Sequence, residues 1–356
     1  GGVILKVGIE GVMIHTGSVE LRPMLAYNFD HWMILIGILI NAAAPPVSAW
    51  LSDAYPESSP TGSVFLSAFT TKTAVLALIL LFPGEPVLIG IGLFMVMYGI
   101  LYALLENDIR RILAYSIVNQ VGFMVCAIGI GTQMAINGAA AHAFAHIIYK
   151  ALLFMSAGAV VYRTGMNKCT EVGGLFRTMP LTAICGIVGA LAISGFPLTS
   201  GFTTKTMISQ AAADESLAFV YMMLAAASAG VFLHAGIKFP WFVFFQKDSG
   251  LRPKDAPWNM GVAMVIFAAL FGRTVSRRSF SSSAWSAALS CLRYSSNPLS
   301  VSLPTRTSTT CAAPNRCPVL YTADRSFCAA SSPSQAATGS RQPSQLPQSC
   351  SKVSPK

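Results

Sequence analysis

The chain has 356 residues and a mass of 37.7 kDa, with 53% hydrophobic and only 11% charged residues. That charged fraction is less than half of what a water-facing globular domain uses, and a mean hydropathy of +0.58 points the surface at lipid. The net charge of +10 does not call for a nucleic-acid partner: residues 273–356 hold eight Arg, two Lys and one acid, Asp324, whereas the first 272 residues hold 14 basic and 13 acidic residues.

A transmembrane helix needs about 20 mostly apolar residues. In chain order the sequence predicts a partial span to about Ile14, then spans over 31–51, 63–82, 87–105, 112–131, 136–162, 180–212 and 216–245, and a last one from Trp258 to Gly272. The opening Gly1-Gly2-Val3-Ile4-Leu5 starts inside an apolar run without an initiator Met, so the fold is expected to be N-terminally truncated. From Arg273 the chain is rich in Ser, Arg, Pro and Thr and has no sustained apolar run. Residues 1–272 are therefore read as a transmembrane domain and 273–356 as a disordered basic tail, expected to follow a frameshift just after Phe271. Cys126, Cys169 and Cys185 are isolated thiols with no CxxC pair and no metal-ligand spacing, and no metal site is expected.

Alternate loops differ in basic charge. Loops 52–62, 106–111, 163–178 and 246–257 carry Arg110, Arg111, Arg163, Lys168, Arg177, Lys247, Arg252 and Lys254. Loops 17–30, 83–86, 132–135 and 213–215 carry only Arg22. The bias predicts that the first set faces the cytoplasm.

Two spans contain helix breakers. One reads Ile40-Asn41-Ala42-Ala43-Ala44-Pro45-Pro46 and the other Gly195-Phe196-Pro197-Leu198-Thr199-Ser200-Gly201. Within lipid a break survives only where protein or water satisfies the freed backbone groups. A pair of interrupted spans points to a transport site near the midplane, with simple proline kinks as the plainer alternative.

Ionisable residues at membrane depth carry the functional argument. Lys72 lies near the centre of its span, Lys150 just past the middle of 136–162, and Lys205 follows the second break. Each mid-span lysine costs about 2.5–3.5 kcal/mol on insertion, which a purely structural bundle has little reason to carry. Desolvation disfavours the charged ammonium, and a lysine, unlike an arginine, can give up its proton. His142, His146 and Lys150 recur at i, i+4 and i+8, which puts them along one helix stripe at about 6 Å of rise per step. These five residues are the candidate proton relay. Lys238 with His234 repeats the i, i+4 pattern toward a span end, where a lysine can snorkel. Asp53 and Glu57 read as solvated loop residues beside Pro56 and Pro60, Glu106 to Arg111 as a helix start, and Lys6 with Glu10 as a pair in the first partial span. No phosphate loop, dinucleotide fingerprint, HExxH or CxxCH is present, so the chain is expected to bind no nucleotide or redox cofactor on its own.

These motifs resemble the proton-translocating antiporter-like membrane proteins: the D subunit of Mrp-type cation/proton antiporters, the antiporter-like subunits of respiratory complex I, and related subunits of membrane-bound hydrogenases. The similar stretches are Pro46–Ala54, Pro60–Lys72, Arg111–Ser116, His142–Met155 in the pattern HxxxHxxxKALLF, and Gly173 through Lys205. The resemblance implies an all-α polytopic bundle of about fourteen helices, built on two inverted five-helix repeats with one discontinuous helix each. It places Lys72 on the family's linking lysine, His142, His146 and Lys150 on its central relay, and Lys205 on the terminal lysine of the second broken helix. Asn41 departs from the pattern, because the family usually has a lysine there. The implied function is proton movement in a multisubunit antiporter or complex I-like assembly in the bacterial inner membrane, with other membrane subunits as partners and sodium left open as a coupled ion. Two alternatives stand beside it: a membrane subunit of an NADH:quinone oxidoreductase or hydrogenase complex that helps to shape a quinone site, and a non-conducting anchor.

Overall fold

The computed structural model describes residues 1–18 and 20–276, and all its regular elements there are helical. In chain order they are α1 (Gly2–Thr16), α2 (Phe29–Asn41), α3 (Ala49–Glu57), α4 (Pro60–Leu81), α5 (Val87–Leu105), α6 (Ile109–Ile130), α7 (Gln133–Thr164), α8 (Pro180–Ser194), α9 (Ser200–Asp214), α10 (Ala218–Val231) and α11 (Trp258–Ser276). α4, α5, α6, α7 and the continuous stretch Ala218–Phe245 are long and apolar enough to cross a membrane. The two interrupted spans are each resolved into two short helices, α2 with α3 and α8 with α9.

Helix starts follow from local chemistry. Ser59 caps α4 by accepting from the Gly62 N–H at 3.0 Å, with Pro60 at the first helical position. Asp108 caps α6 through the N–H groups of Arg110 and Arg111, and Thr132 caps α7 through that of Ala135. At the second break, Gly195 closes α8 in the left-handed region (φ 74°) and Thr199 opens α9 by accepting from the Phe202 N–H. The break is thus one helix end followed at once by a helix start. After α10 the predicted span continues, but Phe232–Lys238 and Trp241–Phe245 are π-helical on either side of Pro240, which has no N–H for a regular ladder.

The loops gather into the two groups that alternating spans require. In one group Arg110 donates to the carbonyls of Ser58 and Ser59, the Ile109 N–H to Asn167, Arg163 to the Asp255 carbonyl and the Ser249 N–H to Gly173. In the other, the N–H groups of Met24, Ala26 and Gly84 donate to the Leu81 carbonyl, the Glu85 carboxylate and the Ile128 carbonyl. The first broken helix runs toward the Arg110 group and the second starts from it, so the two point in opposite directions.

α6 and α7 form the centre. Of their apolar stretches, 94% and 78% are buried, against 39% in α4 and α5. The outer helices instead expose large apolar residues, among them Phe65, Phe69, Phe94, Leu101 and Phe219, a face suited to lipid. α5 and α6 meet at backbone distance: a methyl on Gly99 would stand 2.6 Å from the Asn119 nitrogen, so only glycine permits this approach.

Several expectations are corrected. Asp53 and Glu57 do not lie in a loop, because α3 extends to Glu57 and includes Pro56 near its end. Asp53 pairs with Arg111 at 2.7 Å. Arg110 is not a surface charge: it is 5% exposed and turns inward onto the end of α3. Lys6 and Glu10 do pair, at 2.7 Å, but on an exposed face. α11 continues to Ser276 rather than stopping at Gly272, and the remaining residues of the predicted tail lie outside the described residues.

Candidate functional site

The five relay candidates are all buried. Lys72 is 6% exposed, Lys205 is 4%, and His142, His146 and Lys150 are fully covered. Lys72 comes from α4, the two histidines and Lys150 from α7, and Lys205 from α9; α7 packs against both of the other helices and against α6. The lysines therefore point inward, into one bundle interior.

The i, i+4 spacing behaves as helix geometry dictates. The His142 and His146 rings stand 6.3 Å apart, centroid to centroid, and Tyr149 edges onto His146 at 5.2 Å. His146 lies one helical turn from both His142 and Lys150 on α7. Neither ring nitrogen of His146 has a hydrogen-bond partner among the described residues, nor does the Lys150 Nζ. Lys150 instead sits 5.8 Å from the centre of the Phe154 ring.

The other two lysines have fixed acceptors. Lys72 donates to the Ser67 carbonyl at 2.7 Å and to Thr71 Oγ1 at 3.0 Å. Lys205 donates to the Ile193 carbonyl at 2.7 Å, across the second break, and lies 5.4 Å from the centre of the Phe123 ring. That carbonyl is free because the residue four positions on is Pro197, which has no N–H to donate. At the first break Asn41 is exposed and lines a cavity of about 520 Å³ with Trp50 and Thr70, its amide 3.5 Å from the Thr70 carbonyl.

Other polar residues join the site without having been singled out from sequence. His142 contacts Gln120 of α6 through Nε2 at 3.0 Å and Thr204 of α9 through Nδ1 at 2.7 Å. Gln120 bonds Asn119, and Asn119 bonds the Val96 carbonyl of α5. His234, placed by its sequence toward a span end, is fully buried, with Nδ1 on the Gly230 carbonyl and Nε2 without a partner among the described residues. Its neighbour Lys238 does reach a surface, where it donates to the carbonyls of Ala103, Leu104 and Glu106 and caps the end of α5.

Three lysines and two histidines are thus buried on α4, α7 and α9, beside a pair of oppositely directed broken helices. Residues 1–232 match the family described as NADH:quinone oxidoreductase/Mrp antiporter, TM. The chain belongs to the NADH:quinone oxidoreductase/Mrp antiporter family. It is accordingly an integral membrane protein, and the resemblance carried by its motifs is borne out. Among its relatives in this family is the A/B subunit of a probable K+/H+ antiporter of Rhizobium meliloti, 30% identical over 61% of this chain and 23% of the relative. Another is the M subunit of the NADH-quinone oxidoreductase of Pseudomonas aeruginosa, 29% identical over 58% of this chain and 43% of the relative. The fold is also that of a chain in the Mrp complex from Dietzia sp. DQ12-45-1b, with a TM-score of 0.70 at 22% identity, covering 76% of this chain and 61% of that one. The chain spans less than half the length of either curated relative.

Proposed function

We propose that this chain is part of an ion-translocating membrane subunit of a multisubunit cation/proton antiporter or complex I-like assembly, moving protons along Lys72, His146, Lys150, His142 and Lys205. The observation that supports this reading is the burial of three lysines and two histidines on α7 and on α4 and α9, the two helices that pack against it. Buried lysines on separate elements are costly to a mere anchor, and lysine and histidine are side chains able to change protonation during turnover. Relatives named for a K+/H+ antiporter and for a quinone oxidoreductase support both kinds of assembly. The basic loop group around Arg110 supports an orientation with that side in the cytoplasm of a bacterium.

The reading is tested with Lys150→Ala and Lys205→Ala in the full-length protein within its complex, followed by proton uptake into everted vesicles. Both variants are expected to abolish uptake while assembly of the complex, read on native gels, stays intact. Uptake at the unmodified rate in both variants would sink the relay.

A further inference from the structure

Proton positions on His142 follow from a hydrogen-bond chain that ends on backbone. Asn119 Nδ2 lies 2.9 Å from the Val96 carbonyl, Gln120 Nε2 lies 2.7 Å from Asn119 Oδ1, and Gln120 Oε1 lies 3.0 Å from His142 Nε2. A backbone carbonyl has no proton to give, so it forces Asn119 to present its NH2 group there. Asn119 then offers only its oxygen to Gln120, which must answer with its own NH2. Gln120 is left facing His142 with Oε1, an acceptor, and the Tyr149 hydroxyl donates to that same oxygen at 3.4 Å. The only group that satisfies Gln120 Oε1 from the imidazole is an Nε2–H.

The consequence falls on the other ring nitrogen. Neutral His142 has its lone pair on Nδ1, which faces Thr204 Oγ1 at 2.7 Å. Thr204 lies on the first turns of the second broken helix, next to Lys205, and also reaches the Ser200 carbonyl at 3.0 Å and that of Gly201 at 3.4 Å. With neutral His142 the hydroxyl donates to Nδ1. When a proton binds Nδ1, the new N–H donates to Thr204, and the hydroxyl hydrogen turns to the Ser200 carbonyl. Each state is fully hydrogen-bonded, and one proton is gained or lost at one atom.

We infer that Asn119 and Gln120 are positioning residues that lock His142 as the Nε2–H tautomer, so that His142 takes up and releases its mobile proton only at Nδ1, on the side of α9. Within the relay, the face on which His142 exchanges its proton is then the one turned to α9, the helix of Lys205. The charged and titratable groups around His142 are Lys205 on α9, Lys72 on α4, and His146 and Tyr149 on its own helix. This assignment rests on the proposed relay only for its role in transport; the tautomer itself is a property of the folded chain.

The test is histidine 15N nuclear magnetic resonance on the full-length protein in its complex, reconstituted in nanodiscs, with the His142 signal assigned by its loss in His142→Gln. Neutral His142 is expected to show the Nε2–H pattern. Gln120→Met is expected to yield a mixture with the Nδ1–H form. Should Gln120→Met fail to assemble, Thr204→Val serves instead: it is expected to leave Nε2–H in place, because the lock lies on the other nitrogen. An Nδ1–H form in the unmodified protein, tautomers unchanged in Gln120→Met, or loss of Nε2–H in Thr204→Val overturns the inference. Proton uptake by Gln120→Met is expected to fall ~10-fold or more, the scale of a misdirected acid–base group. Unmodified uptake in Lys205→Ala with the tautomer shift present would remove the relay and leave the lock standing. Abolished uptake in Lys205→Ala with no tautomer shift would do the reverse.

Discussion

The first and second broken helices settle the end of their leading halves with different donors. At the end of α2 the Ile40 carbonyl accepts from the Trp50 indole at 3.0 Å; at the end of α8 the Ile193 carbonyl accepts from the Lys205 ammonium at 2.7 Å. The Ile40 carbonyl also accepts from the Ala43 N–H at 3.1 Å; an indole adds a bond but carries no exchangeable charge, whereas an amine can do both. The backbone device is therefore separable from proton chemistry, and only at the second break is the donor a buried lysine. Their anchoring differs too. α3 is held at its C-terminal end by a cation, Arg110, on the Tyr55, Ser58 and Ser59 carbonyls. α8 is held at its N-terminal end by an anion, Asp255, which accepts from the Leu181 N–H at 2.9 Å and the Thr182 hydroxyl at 2.5 Å. Both signs suit the helix dipole they meet.

Variants at the two breaks bear on this contrast. Lys205→Asn gives the second break a neutral amide of the kind Asn41 supplies near the first, and is expected to cut proton uptake by ~100-fold. Asn41→Ala, measured in the same vesicles, should leave uptake within about twofold, because an amide is no proton carrier. Arg110→Met takes the donor from the Ser58 carbonyl, while those of Tyr55 and Ser59 keep the Ser58 hydroxyl and the Ser63 N–H, and is expected to cost about 1–3 kcal/mol of stability, read from detergent unfolding of the purified protein. Asp255→Ala removes one helix cap and should cost about 1–2 kcal/mol by the same method. Both breaks also hold a non-glycine residue in the left-handed region, Ala43 at φ 61° and Leu198 at φ 70°. Leu198 is 62% exposed, so Leu198→Gly should relieve ~1 kcal/mol of backbone strain with little lost packing. Ala43 is fully buried, and in Ala43→Gly the lost methyl, worth ~0.8 kcal/mol, should cancel that gain.

The smallest effect is expected in the loop that leads to Asp255. Two hydrogen bonds from Arg252, with a third from the Gly250 N–H, hold the exposed Asp248 carboxyl well below the usual carboxylate range. A depressed carboxyl contributes stability that is complete above its unfolded value, about 3.9, and is lost on further acidification. Melting of Asp248→Asn should therefore begin slightly earlier than that of the unmodified protein at pH 7, and the gap should close as the pH falls below the unfolded value.

Much of this was legible from the sequence. Mid-span lysines stand out because charge is rare in lipid, and His142, His146 and Lys150 declare themselves by helical spacing. Both breaks are spelled out by Pro and Gly. Asn119, Gln120 and Thr204 were not legible: they are common polar residues inside apolar runs, and their significance lies in partners 22 to 62 positions away. Arg110 misled for a related reason. Beside Asp108 and Arg111 it looks like one more solvated charge, and only the fold brings the end of α3 beneath it.

Gly99 has no functional group, yet the orientation of His142 depends on it. Because α5 lacks a side chain there, α6 comes near enough for the Asn119 amide to reach Val96 and set the rest of the chain in order. Adding a single carbon at that spot would be felt two helices on, as a proton misplaced on a ring that the new carbon never touches. A survey for impaired variants confined to ionisable positions would pass over it.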